Sequence, residues 1–154
     1  MLKRKAPKRD KSMEDQIRRD LSFLFDDHSA IVSSNTIEQF GISEVIVAVG
    51  NLDFLFRYNR RDDECEILSG PHDGHGIWEF LHVALAAATG EPVNTLYAPL
   101  SCVANSSGTR YTGLTWLASI LKPRFAALNT AFAPENYPAT HTQMVEIEWS
   151  IHPR

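Results

Sequence analysis

Apolar and polar positions along the chain fall first into a helical period and then into a strand period. Ser12-Met13-Glu14-Asp15 approximates a capping box, with Asp15 standing where Glu or Gln is usual. Ile17, Leu21, Leu24 and Phe25 follow at helical spacing, while Arg18, Arg19 and Asp20 lie off that stripe. The pattern predicts a helix opening at Ser12 and ending at Asp26-Asp27-His28-Ser29. Ala30 to Ile37 then reads as a short strand. Val45 to Val49 is a continuous, mostly β-branched run suited to a strand buried on both faces. Gly50-Asn51 is a two-residue hairpin signal of the type II′ kind. Leu52, Phe54, Phe56 and Tyr58 alternate with Asp53, Leu55 and Arg57, which is the period of a strand. After the turn Asn59–Asp63, Glu64 to Leu68 continues the alternation, with Cys65 and Ile67 on one face and Glu64, Glu66 and Leu68 on the other.

The second half mixes signals. Ser69 to Gly76 holds three glycines and a proline and reads as a loop. A helix is predicted from Ile77 to about Thr89, with Phe80, Leu81, Ala84, Leu85 and Ala88 inward and Gly90 placed to stop it. Val93 to Tyr97 suggests a short strand, and Ser101 to Thr109 is rich in turn formers. Leu114, Leu117 and Leu121, then Phe125, Leu128 and Phe132, predict two short helices or one kinked at Pro123. Val145, Ile147, Trp149 and Ile151 alternate with Glu146, Glu148 and Ser150, which predicts a final strand. The sum is an α+β fold: an antiparallel β-meander of three to five strands packed against N-terminal and C-terminal-half helices.

Length and charge refine this picture. The 154 residues suffice for one domain with a sizeable core. Residues 1–11 carry six basic side chains against Asp10, a net +5, and the overall −4 therefore leaves −9 on residues 12–154. The expected organisation is a disordered basic tail over 1–11 and a single α+β domain over 12–154. An acidic body repels nucleic acid and draws basic partners, so nucleic acid is excluded except through the tail. No apolar run is long enough to span a membrane and no apolar stretch follows the basic start, so the expectation is a cytoplasmic protein. Cys65 and Cys102 form no spaced cluster and are expected to be reduced, partly buried thiols.

Candidate chemistry is sparse. His72, His75 and His82, with Asp73, form the best metal or small-ligand candidate, but zinc needs three or four converging donors and the glycine loop fixes none. Asn105 to Arg110 lacks the paired glycines and lysine of a phosphate-binding loop. Neither cysteine has a histidine partner at a spacing that would make a nucleophilic dyad. No catalytic residue, metal or cofactor is assigned, and the expectation is a non-enzyme. The acids gather at turns instead: Asp26-Asp27 and Asp62-Asp63-Glu64. Trp78, at the rim of the glycine loop, is the aromatic most suited to anchoring a partner.

The order of the pieces carries a resemblance. A helix ending in acids is followed by Ile31-Val32-Ser33-Ser34, a hairpin ending Leu55-Phe56-Arg57-Tyr58, and a strand Glu66-Ile67-Leu68. Then come a glycine loop, Trp78-Glu79-Phe80-Leu81, and Phe125…Leu128…Phe132 running into Pro134-Glu135-Asn136-Tyr137. Over about residues 15–138 the chain resembles small bacterial immunity proteins, which neutralise polymorphic or contact-dependent toxins. The resemblance implies a protein that binds a cognate toxin domain, many of which are basic nucleases, and needs no active site. Asp62, Asp63, Glu64 and Glu66 are then the expected contacts, with Asp26, Asp27, Asp73 and Trp78 behind them. Two other classes stay open: a small enzyme or metal- or ligand-binding domain using His72, His75 and His82, and an adaptor whose 1–11 tail holds nucleic acid.

Overall fold

A computed structural model describes residues 8–38, 40–72, 77–98, 100–105 and 108–152, with the side chains of 101–105 and 108–110 excepted. Five strands form one antiparallel sheet in chain order: β1 (Ile31–Ile37), β2 (Ile42–Val49), β3 (Leu52–Asn59), β4 (Glu64–Pro71) and β5 (Glu79–Phe80). The fold is α+β with the meander at its centre. The alternation Phe54, Phe56 and Tyr58 fixes the register, because all three side chains are buried on one face beside Val45, Val47 and Ile67. The opposite face carries the cross-strand row Glu44, Arg57 and Glu66, next to the row Ile46, Leu55, Leu68 and Phe80.

The β2–β3 turn is the two-residue hairpin the sequence predicts, joining Val49 to its partner Leu52. Gly50 has φ +57° and Asn51 has negative φ, the type II′ pattern. A side chain at Gly50 would also collide with Asn129, whose Oδ1 would lie 2.3 Å from the added carbon. That close approach exists because the Asn51 amide donates to Asn129 Oδ1 at 2.8 Å, while Asn51 Nδ2 donates to the Asn129 carbonyl at 3.0 Å.

Helices cover the Phe54–Phe56 face. α1 (Lys11–Asp20) and α2 (Ser22–His28) replace the single helix expected, broken at Leu21, whose φ −113° and ψ 35° leave the helical region. The cap is Asp10, not Ser12: its carboxylate accepts from the Met13 amide at 3.1 Å and from Ser43 Oγ at 2.9 Å. Asp10 is buried and Lys8 bridges to Ile37, so residues 8–11 are built into the fold; residues 1–7 lie outside the described residues. α3 (Leu81–Thr89), α4 (Leu114–Leu121), α5 (Phe125–Ala131) and α6 (Tyr137–Ile151) complete the layer. Pro123 sits in a single 3₁₀ turn between α4 and α5, as its missing amide favours.

Four further expectations about the elements are corrected. Glu79–Phe80 is a strand paired with Leu68–Ser69, so the third helix begins at Leu81 and not at Ile77. Val93–Thr95 is a 3₁₀ turn rather than a strand. The segment read as turn-rich forms a hairpin, β6 (Ser101–Asn105) with β7 (Gly108–Thr112). The last and largest correction is Val145 to Ile151, which is helix and not strand. Its buried residues are Thr140 and Met144, with Ile147 packed beside them, an i, i+4, i+7 face; Val145 and Trp149 point outward. Pro138 in the first turn gives this helix its start.

Candidate functional site

The β4 edge, where the sequence places its acids, separates two concavities. The larger, about 560 Å³, lies between β4, the start of α3, Leu96, Tyr97, Ala98 and Leu100, and the C-terminal end of α6. Buried Ile67, Leu81, Leu96 and Leu117 make its floor. The smaller, about 470 Å³, is an open groove over β2, β3 and β4 lined by Glu38, Glu44 and Arg57 among others. Glu64 and Glu66 line both. Asp63 belongs to the larger cleft, at φ +51°, a turn conformation that aspartate tolerates better than most side chains. The Tyr58 hydroxyl approaches its carboxylate at 3.5 Å, and burial together with that negative charge pushes the phenol pKa up.

The two concavities differ in how their acids are matched. In the groove, Arg57 stands between Glu44 at 3.3 Å and Glu66 at 3.8 Å, a ladder across three strands. In the cleft no lysine or arginine is present among the described residues. Glu148 of α6 lines the cleft, and the Glu79 carboxyl is its neighbour. Burial, and then the neighbouring Glu148, push the Glu79 pKa up to about 7. A carboxyl beside a second carboxyl keeps its proton to higher pH, since two adjacent negative charges do not form cheaply.

Aromatic rings form the mouth. Phe80 and Tyr97 are 38% and 56% exposed, which is high for residues lining a cavity. The His82 ring lies between them, 5.7 Å from Phe80 and 5.3 Å from Tyr97, centroid to centroid. Burial lowers the His82 pKa, opposed by the Glu148 charge, so the imidazole is biased to the neutral form. His152 completes the mouth from the end of α6.

The other residues singled out by sequence scatter. Asp26 and Asp27 sit in the last turn of α2 and line neither concavity. Asp62 holds the β3–β4 turn through Asn59 Nδ2 at 3.0 Å, beside Asp63. Trp78 is half-buried and lies over Gly70, where an added carbon would come within 3.1 Å of its ring. Asp73 and His75 lie outside the described residues. His72 Nδ1 is 2.8 Å from Asp53 Oδ1, while His82 stands between Phe80 and Tyr97, and no group of three metal donors occurs among the described residues.

Cys65, expected to be reduced, is engaged in a disulfide. The chain's other cysteine is Cys102, on β6, the strand that packs beside β4; its side chain lies outside the described residues. Among the described residues no helix is long and apolar enough to cross a membrane. Sequence reasoning missed Glu79 and Glu148, whose meeting depends on α6 packing against α3. Compared with known proteins, the chain matches no family model, no curated protein and no solved structure.

Proposed function

We propose that this chain is a binding protein of the immunity type, which neutralises a cognate basic protein toxin by covering it with the acidic edge of β4. The observation that carries the reading is the convergence of Glu38, Glu44, Asp63, Glu64, Glu66 and Glu148 around two adjoining concavities, with Arg57 as the single guanidinium there among the described residues. Such a surface raises the encounter rate with a basic partner and disfavours acidic ones. In this reading the chain acts by occlusion, without catalysis or a cofactor, in the cytoplasm where such a toxin would do its damage.

Neutralisation is the test. The C-terminal domain of the protein encoded beside this chain is expressed from an inducible promoter, with and without the chain. Restored growth, lost on charge reversal of Asp63, Glu64 and Glu66 together, supports the reading. Persistent arrest, with no complex between the two purified proteins at low salt, overturns it. Association should also slow as salt rises, because steering between exposed charges is screened over about 8–10 Å at physiological ionic strength.

A further inference from the structure

The larger cleft combines three features that together specify the group it would take. It has an apolar floor, half-exposed aromatic walls, and carboxylates with no lysine or arginine among the described residues that line it. The volume, about 560 Å³, is well within the range that encloses a small ligand or a long side chain. Phe80 and Tyr97 line the cleft and are partly exposed, and aromatic faces attract cations. Glu148 lines it from α6, and Glu66 lines it from β4, where Arg57 also reaches its carboxylate at 3.8 Å. An ammonium would satisfy the charge alone. A planar guanidinium would satisfy both the charge and the rings, because it stacks on an aromatic face while its fork donates to carboxylates.

We propose that the cleft between β4, α3 and the end of α6 is a receptor for an arginine side chain of the protein partner, held by Glu148 against the exposed parts of the Phe80, His82 and Tyr97 ring cluster, with Glu66 shared between this cleft and Arg57. This rests on the binding-protein reading above and supplies its anchor. The apolar floor takes the methylene stem, and the carboxylates replace the water lost by the guanidinium. The occupant also brings a cation to a pair that has no lysine or arginine partner among the described residues. Its arrival favours the ionised form of Glu79, so binding tightens as pH rises through about 7. The other charged and titratable groups facing the pair and the cleft are His82 on α3, His152 at the end of α6, and Asp63, Glu64 and Glu66 on β4. Of these His82 is biased toward its neutral form by burial, against the opposing charge of Glu148.

The probe is N-acetyl-arginine amide, with N-acetyl-citrulline amide as its uncharged isostere, titrated into the ¹⁵N-labelled full chain at pH 6 and pH 8. Saturable shifts centred on Phe80, His82, Tyr97 and Ile151, several-fold tighter at pH 8 and absent with citrulline, are the expected result. Glu148→Gln should weaken binding about tenfold or more, whereas Glu44→Gln, in the neighbouring groove, should leave it unchanged. Shifts centred on the Glu44–Arg57 groove, or equal shifts with citrulline, overturn the proposal. A toxin complex that forms with unchanged affinity on Glu148→Gln also overturns it while leaving the immunity reading standing. Arginine binding at the cleft without any toxin neutralisation separates the two in the other direction.

Discussion

Glu14 and Glu79 are both withdrawn from solvent, yet the chain completes one carboxyl and leaves the other incomplete. Burial pushes the Glu14 pKa up, but the hydrogen bonds of Arg9, Asn35 and Arg18 together outweigh it and hold the carboxyl below its ordinary value. Arg9 donates to one carboxyl oxygen, and Arg18 donates to the other at 3.2 Å from one turn away. Asp10, next to it, is equally provided for, through the Met13 amide, Ser43 and Arg60 at 3.9 Å. Glu79, by contrast, meets another carboxyl. A buried charge is stable when it is paired and costly when it is not. The N-terminal cluster is therefore a finished piece of structure that ties α1 to β1 and β2. The cleft keeps an electrostatic deficit that folding does not remove, the kind of deficit a binding surface keeps for its partner.

The largest expected effect tests the finished side. Asp10→Ala removes the α1 cap and leaves the buried Ser43 hydroxyl without its acceptor, which should cost about 2–4 kcal/mol. Urea denaturation measures it, and a loss below about 0.5 kcal/mol would mean that the cluster is not structural.

The next tests the unfinished side and has the opposite sign. Because the folded-state pKa of Glu79 is raised from 4.5 to about 7, the folded protein holds a proton that the unfolded chain has released. The stability tied to that proton is fully present below 4.5 and is lost as pH rises through about 7. Glu79→Gln should then stabilise the protein by about 1–3 kcal/mol at pH 8 and leave it nearly unchanged at pH 4. Thermal melts of the two proteins at both pH values check it. Equal melting temperatures at pH 8 would break the contrast. The depressed Glu14 works the other way, its stabilisation being present above its ordinary pKa of 4.5 and lost as pH falls through its lowered folded value.

How much of this could be read from the sequence follows from where each contact arises. The meander was legible because Phe54, Phe56 and Tyr58 alternate with polar neighbours and Gly50-Asn51 specifies its turn, all local signals. Asp63, Glu64 and Glu66 were legible as a cluster because they are consecutive or nearly so. α6 was misread because Val145, Ile147, Trp149 and Ile151 alternate by coincidence. The face that decides the element is Thr140, Met144 and Ile147, and Met144 is fully buried. That error hid the cleft, since as a strand residue Glu148 would have no route to Glu79. His82 was noticed for a metal, and its neighbours proved to be aromatic rings. The disulfide of Cys65 was not legible, because the chain's two cysteines share no spacing motif and β4 and β6 come together only in the fold.

The smallest effect sharpens the wall of the cleft on the β4 side, where Cys65 lies. Disulfides persist in oxidising compartments and are rare in a reducing cytoplasm. Intact mass under non-reducing conditions should show the chain lighter by two hydrogens after air oxidation. Protein taken directly from a reducing cytoplasm should show the full thiol mass, and the same mass in both samples would mean that Cys65 forms no redox-sensitive bond.

The most direct test of the central contrast is a ¹³C NMR titration of the glutamate side-chain carboxyls, without and with N-acetyl-arginine amide. The free protein should show Glu79 titrating at about 7 and Glu14 below its ordinary value, and the probe should bring Glu79 down toward the ordinary carboxylate range while Glu14 does not move. A Glu79 carboxyl that already titrates in the ordinary range in the free protein would contradict the account.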